Sequence, residues 1–222
     1  MSYWQQKLIN IFEDTFLHNL SSNLHNLSSK RLFNFYRDEV PFLDRPNGAY
    51  IRWRNLCRYI YEFGTKPKIL LVGEAPGARG CRFSGIPFTS EKLITEAQIP
   101  VRGDQSSRRD SPQSEITATI FWKTLHPYVL DFFVWNVVPF HPHRPDDLLS
   151  NRPPTRNETS AFLDLLLAVI NVLEPEIIVA VGKTAYRVLN DILNIDCTLV
   201  RHPSYGGKRK FQDQMIAIMS RI

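Results

Sequence analysis

The amino-acid sequence predicts an α/β protein, a three-layer α/β/α sandwich around a short, mainly parallel four-stranded sheet. Short apolar runs bounded by turn-forming residues alternate with stretches whose apolar residues recur at helical spacing, which is typical of parallel strands connected by helices. The runs are apolar at consecutive positions, as expected of strands that helices cover on both faces. The predicted strands are KILLV at 68–72, DFFVWNVV at 131–138, EIIVAV at 176–181 and CTLV at 197–200.

Helical patterns precede the first strand and fill the intervals between the others. Apolar residues at spacings of three and four give the predicted helices one buried face. Thr155 and Glu158 form a capping box, which marks the start of a long helix. The polar segment 100–112 is expected to be an exposed insertion. The predicted helices span 3–18, 50–63, 114–125, 155–173, 184–193 and 208–222.

The composition is typical of a folded globular protein. Hydrophobic residues make up 43% of the 222, and the mean hydropathy is −0.23. No apolar run reaches the ~20 residues needed to cross a bilayer, and the start of the sequence lacks the pattern of a secretory signal. We therefore expect a cytoplasmic monomer without membrane contact. Its single domain would span 1–222, with a helical part at 1–66 and a core at 67–222.

Charge and cysteine content narrow the classes of partner and cofactor. The formal net charge of +5 and the pI near 9.2 are compatible with a polyanionic partner but do not establish one. Cys57, Cys81 and Cys197 are too widely spaced for a CxxC knuckle or an even disulfide framework. We expect reduced thiols, no metal and no cofactor.

In parallel sheets, functional residues usually lie on loops beyond the carboxyl ends of the strands. Two patterns in these loops do not carry a site. The GKT at 182–184 lacks the glycine that a phosphate-binding loop needs at position 177, so Gly182 is interpreted as a strand-to-helix turn. His141 and His143 have no partner ligands at metal-binding spacing, so we interpret them as structural or solvated.

Three side chains on the other loops suit one another chemically. Phe88 offers an aromatic face, Asn136 an amide at the end of a strand, and His202 an imidazole in a His-Pro-Ser turn. An aromatic face and an amide edge are what a pocket for a flat heterocycle needs. The sequence therefore predicts a slot for one nucleobase. Taken singly, each residue has a plainer interpretation: a core aromatic, a turn cap and a loop histidine with its hydrogen bonds satisfied.

The sequence resembles the uracil-DNA glycosylase superfamily, and four motifs carry the resemblance in the family's order. They are GEAPG at 73–77, GIPF at 85–88, Asn136 after an apolar strand, and HPS at 202–204. The nearest branch is the bacterial and archaeal one with a GEAPG first motif. That branch normally holds an iron–sulfur cluster on four cysteines. With three scattered cysteines, we expect no cluster here.

The resemblance implies roles for the residues that match its motifs. Phe88 would stack on a flipped base, and the turn at Ala75 and Gly77 would lie against it. Asn136 would pair with N3–H and O4, an arrangement that fits uracil and not cytosine. His202 would donate a hydrogen bond to O2, where negative charge gathers as the base leaves. Glu74, Asn136 and His202 are thus the expected catalytic residues.

The resemblance leaves two interpretations of Glu74 open. Many relatives carry a catalytic Asp where Ala75 stands, so Glu74 is the nearest carboxylate for the attacking water or the sugar cation. Alternatively, its side chain is structural and backbone groups hold the water. Ser204 is expected to grip a phosphate and Tyr205 to act as a wedge in the DNA. The expected basic contacts to DNA are Arg201, Lys208, Arg209 and Lys210.

The expected function is a monofunctional DNA glycosylase of base excision repair, which excises a pyrimidine, first of all uracil, from single- or double-stranded DNA. Relatives that reject thymine carry a tyrosine where Gly77 stands, so the C5 side of the pocket is expected to be open. One alternative is therefore a glycosylase for thymine or C5-modified pyrimidines, including those of foreign DNA. Another is a non-catalytic DNA-binding protein, because Ala75 replaces the usual carboxylate.

Four further arginines are expected to lie on the solvated surface: Arg79, Arg82, Arg108 and Arg109.

Overall fold

A computed structural model describes residues 1–18 and 31–221 and confirms the predicted α/β class. Strands are β1 (Leu32–Phe33), β2 (Ile69–Gly73), β3 (Phe132–Asn136), β4 (His141–Pro142), β5 (Ile177–Val181) and β6 (Thr198–Val200). Helices are α1 (Tyr3–Phe16), α2 (Gly48–Tyr61), α3 (Cys81–Ser84), α4 (Glu91–Thr95), α5 (Ile116–Leu125), α6 (Arg156–Ser160), α7 (Leu163–Leu173), α8 (Lys183–Tyr186) and α9 (Lys208–Met219). A 3₁₀ turn (His126–Tyr128) follows α5, and a π-helical segment (Arg187–Ile192) continues α8.

The central sheet is parallel, in the order β3-β2-β5-β6. The chain leaves β2 for β3 on one side and later returns to pair β5 with the other edge of β2. Such a reversal opens a crevice at the carboxyl ends of the two strands, which is where ligands bind in open parallel sheets. Gly73 and Asn136 are register partners at the ends of β2 and β3, so both residues border this crevice.

Side chains alternate between the two faces of the sheet, and β3 shows both. Phe132 packs against Phe121 of α5 with ring centroids 5.9 Å apart. On the opposite face, Trp135 stacks on Phe12 of α1 at 4.3 Å. Helices on both faces produce the three layers and explain why β2, β3 and β5 carry apolar side chains on both faces of the sheet. In the described residues 1–18 and 31–221, no helix has the length and apolar character needed to cross a bilayer.

The antiparallel pair β1–β4 was not predicted from the sequence. Leu32 pairs with Pro142, and Phe33 with His141. Each partner contributes two residues, too few to show an alternating pattern. The pairing ties the loop after β3 to the N-terminal part of the chain and so fixes one wall of the crevice.

The predicted single helix over 155–173 is wrong in one respect: it is broken between α6 and α7. The capping box is present, because the N–H of Glu158 donates to Thr155 Oγ1 at 3.2 Å and the N–H of Thr155 to Glu158 Oε2 at 2.7 Å. At Phe162 the backbone leaves helical geometry, and the ring packs edge-on against Phe140 at 5.1 Å. A tertiary contact therefore overrides the local helical pattern.

The predicted exposed insertion at 100–112 is anchored in its middle. Ser106 and Ser107 are buried, and their N–H groups donate to the Glu91 carboxylate at 2.7 and 2.8 Å. The expectation of solvated surface is also wrong for Arg82, which is fully buried. Its guanidinium pairs with Asp44 at 2.6 Å, because a buried charge needs a partner.

Candidate functional site

A cavity of about 370 Å³ opens at the carboxyl end of the sheet. All predicted catalytic and base-binding residues line it, together with Ser204 and Tyr205. Arg201 and the basic residues at 208–210 are not among its lining residues. The wall consists of Glu74, Ala75, Pro76, Gly77, Cys81, Phe88, Glu115, Thr117, Asn136, Pro142, Asn151, Arg152, Pro153, His202, Ser204 and Tyr205.

Asn136, the last residue of β3, presents an unused hydrogen-bond acceptor. Its side chain is 2% exposed, and Oδ1 is buried with no hydrogen-bond partner in residues 1–18 and 31–221. Leaving such a group unpaired costs about 1–3 kcal/mol, so buried polar atoms are nearly always satisfied. A turn-capping role would have given the amide a backbone partner. The orphaned oxygen instead indicates a ligand that donates a hydrogen bond.

Phe88 holds its ring beside this amide through an unusual backbone. Its φ of 51° lies in the left-handed region, which is strained for a bulky residue and is tolerated mainly at functional sites. The ring stacks on Phe121 at 4.8 Å. A Cβ at Gly73 would come within 2.7 Å of Phe88 Cζ and 2.6 Å of Asn136 Oδ1. Glycine at 73 therefore lets the aromatic ring and the amide share the crevice.

His202 follows β6, and its ring centroid lies 5.7 Å from that of Phe88. The N–H of Ser204 donates to His202 Nδ1 at 3.2 Å, and Ser204 Oγ lies 2.7 Å from the same nitrogen. Burial, with the nearby charge of Arg201, lowers the pKa of His202 to about 4. The ring is therefore neutral at pH 7. Because Nδ1 accepts from a backbone N–H, the ring proton is on Nε2, which is left to donate.

Glu74 directly follows β2 and is half-buried in the cavity wall. Burial raises the pKa of its carboxyl, and the Thr184 side chain and the positive charge of Arg187 act in the opposite direction. Thr184 and Arg187 follow Gly182, whose φ of 96° makes the tight turn between β5 and α8 that the sequence predicted. The carboxylate thus lies at the switch point of the sheet.

His141 supports the first-motif turn from behind. Its ring is fully buried, and Nδ1 donates to the carbonyl of Pro76 at 2.8 Å. Burial lowers the pKa of His141 to about 4. His143 is also buried, with Nδ1 2.8 Å from the carbonyl of Arg144. Both histidines are therefore structural. Across residues 1–18 and 31–221, no group of three or more His, Cys, Asp or Glu side chains is placed to hold a metal.

Glu115 is a wall residue that the sequence analysis missed. It immediately precedes α5, and its carboxylate lies against Gly77 and Gly80 of the first-motif loop. Burial raises the pKa of this carboxyl to about 6. No local pattern connects residue 115 with 77–80. The only available signal was the pair of glycines, which leaves a gap for a side chain from elsewhere.

An exposed basic segment, here called the rim, follows the cavity residue Tyr205 in the chain. Tyr205 is 96% exposed and has a φ of 49°, and the neighbouring Gly206 has a φ of 73°. Lys208, Arg209 and Lys210 form the exposed first turn of α9, where they oppose the helix dipole. Cations at this end of a helix favour an anion as the missing partner.

A family model of the uracil DNA glycosylase superfamily matches residues 60–220 of this chain. The chain belongs to the uracil-DNA glycosylase superfamily. A curated relative, the type-4 uracil-DNA glycosylase of Thermotoga maritima, is 29% identical over 153 residues, which is 67% of this chain. The match spans 64% of that relative, slightly less than two thirds of its length.

The crystal structure of wild-type Pedobacter heparinus SMUG2 is similar to this chain, with a TM-score of 0.63. The two share 17% identity, and the match covers 100% of this chain and 98% of that one. This similarity shows the shared fold. Together with the family match, it confirms the resemblance that the four motifs indicated.

The cysteines of this superfamily member do not fit a four-cysteine iron–sulfur cluster. The sequence contains three, all free thiols: Cys57 in α2, Cys81 in α3 and Cys197 just before β6. Only Cys81 lines the cavity, and burial raises the pKa of its thiol well above the usual value. The donor set that such a cluster requires is therefore not supplied by this chain.

Proposed function

We propose that the protein is a DNA glycosylase that flips a pyrimidine nucleotide out of DNA and hydrolyses its N-glycosidic bond, with uracil as the first substrate. The single observation that carries this proposal is the orphaned, buried Oδ1 of Asn136. It lies in one cavity with the ring of Phe88 and the imidazole of His202. Membership of the uracil-DNA glycosylase superfamily supports the same conclusion.

Recognition follows from the hydrogen-bonding pattern of the amide. Oδ1 of Asn136 would accept from N3–H of uracil, and the amide NH₂ would donate to O4. Cytosine presents an acceptor at N3 and a donor at N4, so both bonds would become repulsive. A site built to pair such groups rejects the wrong pattern strongly, because mismatched buried groups stay unsatisfied. Phe88 would stack on the face of the base and leave its edge for Asn136.

Catalysis requires stabilisation of two developing charges. As the N1–C1′ bond breaks, negative charge gathers on the base and positive charge on the sugar. The Nε2–H of His202 would donate to O2, and a neutral imidazole is the form present at pH 7 because the pKa is about 4. Glu74 would orient the attacking water or face the sugar cation. This role for Glu74, and the monofunctional character of the enzyme, are part of the proposal.

DNA binding would use the exposed rim. Extruding a nucleotide costs a few kcal/mol, which phosphate contacts and a wedge must offset. Tyr205 is exposed at the cavity mouth and would enter the space that the flipped base vacates. Arg201 and the basic turn at 208–210 would contact phosphates. Ser204 lies against His202, so its hydroxyl would orient the imidazole as well as approach a phosphate.

Action as a single-domain monomer in the cytoplasm stays a prediction from the sequence.

The test is an oligonucleotide panel that varies the base and the strandedness, scored for abasic sites. We expect the wild-type protein to release uracil and leave cytosine. Asn136→Ala and His202→Ala should each lower the single-turnover rate about 10²–10³-fold, as expected for loss of a group that stabilises the transition state. Matched controls are Asn157→Ala and His126→Ala, since both side chains are exposed and neither lines the cavity.

Two results would overturn the proposal. One is a folded wild-type protein that binds uracil-containing DNA but releases no base, which would favour the non-catalytic DNA-binding alternative. The other is excision that Asn136→Ala and His202→Ala leave unchanged.

A further inference from the structure

The outward face of α2 and the turn before it carry exposed aromatic and basic side chains away from the cavity. Tyr50 is 59% exposed, and the guanidinium of Arg54, one turn later, lies 5.6 Å from the centre of its ring. Phe42, in the turn before α2, is 74% exposed. These three residues are not among those that line the cavity. Exposed aromatic rings beside arginines are typical of surfaces on which unpaired bases stack.

The segment 102–109 lies beside this turn and adds positive charge. The N–H of Arg45 donates to the carbonyl of Ser106 at 2.7 Å, and the N–H of Arg108 donates to the carbonyl of Leu43 at 2.8 Å. Because these bonds join the two segments, their exposed arginines lie on one part of the surface. We define the α2 surface by six residues: Phe42, Arg45, Tyr50, Arg54, Arg108 and Arg109.

Most of the positive charge on the α2 surface is unpaired. Within residues 1–18 and 31–221, Arg45, Arg108 and Arg109 form no ion pair with a carboxylate. Arg54 lies 3.7 Å from Asp104, and both side chains are about half exposed. An exposed pair of this kind contributes little, so Arg54 can exchange the aspartate for a phosphate. The unpaired arginines favour a polyanion as the partner.

The α2 surface and the rim lie at opposite edges of the central sheet. Tyr59 of α2 accepts a hydrogen bond from the N–H of Val134 at 3.0 Å, which places α2 beside the edge strand β3. The rim follows β6, the strand at the other edge. The middle of α2 also abuts the turn that leads to Phe88, since a Cβ on Gly85 would overlap the carbonyl of Arg52. The cavity therefore lies between the two basic surfaces.

The direction of α2 brings the α2 surface to the cavity end of the sheet. α2 ends at Tyr61 and β2 begins at Ile69, so the last turn of α2 lies near the amino end of the sheet. The 14 residues of α2 span about 21 Å, which brings its first turns to the carboxyl end. A helix is about 10–12 Å across, so the α2 surface begins roughly 10–15 Å from the cavity wall. At ~3.4 Å per nucleotide, this distance corresponds to about three or four nucleotides.

We propose that the α2 surface is a second DNA-binding surface, which holds single-stranded DNA that flanks the flipped nucleotide. Its arginines would contact phosphates, and Phe42 and Tyr50 would stack on unpaired bases. The bases of a duplex already stack on one another, so the exposed rings favour a single strand. This inference goes beyond the proposed function, because hydrolysis in the cavity does not require a second surface.

The first experiment measures the binding of a thymidine oligonucleotide of about 20 nucleotides by fluorescence anisotropy, over a range of salt concentrations. The double variant Phe42→Ala/Tyr50→Ala should bind about 10-fold or more weakly with an unchanged salt slope, because it loses stacking and keeps its charges. Arg45→Ala/Arg108→Ala should also bind more weakly, and its slope of log K should fall by about 0.7 for each phosphate no longer neutralised. The four side chains are exposed, so both variants should unfold at the wild-type temperature.

Controls and a competitor test whether the effect belongs to this surface and to nucleic acid. Tyr3→Ala and Lys68→Ala are the matched controls, because both side chains are exposed and lie outside the α2 surface. Both controls should bind the oligonucleotide as the wild type does. A polyglutamate peptide of similar charge represents the alternative partner, an acidic protein segment. It should compete at least about 10-fold less well than the oligonucleotide, because it has no bases to stack.

The second experiment compares uracil excision from a short and a long single strand. A pentanucleotide with a central uracil has two nucleotides on each side, too few to reach the α2 surface. On this substrate, kcat/KM of both double variants should stay within about threefold of wild type. On a strand of about 20 nucleotides, their kcat/KM should fall about 10-fold, because the flanking contacts are lost.

The outcomes separate this inference from the proposed function. The inference is wrong if both double variants keep the wild-type affinity and salt slope, or if polyglutamate competes as well as the oligonucleotide. Equal losses on the short and the long strand would also contradict it, because the substitutions would then act on the cavity. If the wild type releases no uracil, the proposed function fails, and the binding experiment still tests the α2 surface.

Discussion

Glu91 and Asn136 are both buried polar residues, with 0% and 2% of their surface exposed, yet their surroundings differ completely. The Glu91 carboxylate accepts four hydrogen bonds at 2.6–2.9 Å, two of them from N–H groups of Ser106 and Ser107. Asn136 Oδ1 accepts none from the described residues. A satisfied buried group builds the scaffold, whereas an unsatisfied one at a cavity wall is kept for a ligand. Within one core, Glu91 therefore stabilises the fold, whereas Asn136 is available to bind a ligand.

The largest effect on stability is expected at Glu91. Glu91→Ala would leave the buried donors of the 106–113 segment without an acceptor, so the free energy of unfolding should fall by about 3–5 kcal/mol. Chemical denaturation of the variant and the wild type measures this change in the free energy of unfolding. The control is Glu96→Ala, because Glu96 is exposed and its carboxylate accepts a hydrogen bond from the exposed side chain of Gln98. A decrease in the free energy of unfolding of less than about 1 kcal/mol would contradict the claim that the hydrogen bonds of Glu91 stabilise the fold.

A smaller effect with the opposite sign is expected at Glu115. Because burial raises its pKa to about 6, the stability that its neutral form contributes is complete below the unfolded pKa of about 4.3 and is lost as pH rises through 6. Glu115→Gln, which stays neutral, should therefore be more stable than wild type by about 2 kcal/mol above pH 7. The difference should vanish below pH 4.

Denaturation of both proteins across pH 4–8 checks this prediction. The other titratable groups are common to the two chains, so their difference reports Glu115. A difference that does not depend on pH would show that the carboxyl is not desolvated in the folded protein.

The smallest effects are expected on the exposed rim. Replacing Lys208, Arg209 or Lys210 by alanine should weaken DNA binding a few-fold at all sequences. The salt slope of log K should fall by about 1 for each phosphate that the variant no longer neutralises. Because these cations oppose the dipole of α9, each replacement should leave stability unchanged or raise it slightly. Lys68, exposed beside the amino end of β2, is the control position. Salt slopes that match wild type would assign the basic turn to solvated surface.

The sheet and most helices could be predicted because their signals are local. The apolar run before Gly73 and the helical pattern before Leu125 needed no knowledge of distant residues. The break at Phe162 could not be predicted, since it depends on a contact with Phe140. The β1–β4 pair joins two-residue segments more than a hundred positions apart, which leaves no pattern in either one.

In the site, too, residues with a local sequence signal could be predicted, and residues that depend on tertiary contacts could not. The rule that loops at the carboxyl ends of parallel strands carry function selected Phe88, Asn136 and His202, and the structure brings all three to one cavity. Glu115 was not predicted, because it lies against Gly77 only in the folded protein and no local sequence pattern connects the two positions. The neutral state of His202 and its Nε2 proton also depend on burial and on the position of Ser204, which the motif alone does not specify.

The most direct test of the central claim is a crystal structure of the protein with a duplex that carries 2′-fluoro-deoxyuridine, whose N-glycosidic bond resists cleavage. We expect the flipped uracil to stack on Phe88, with N3 within hydrogen-bond distance of Asn136 Oδ1 and O2 within reach of His202 Nε2. A base that stays in the helix, or that binds elsewhere while Asn136 Oδ1 remains unpaired, would contradict the account.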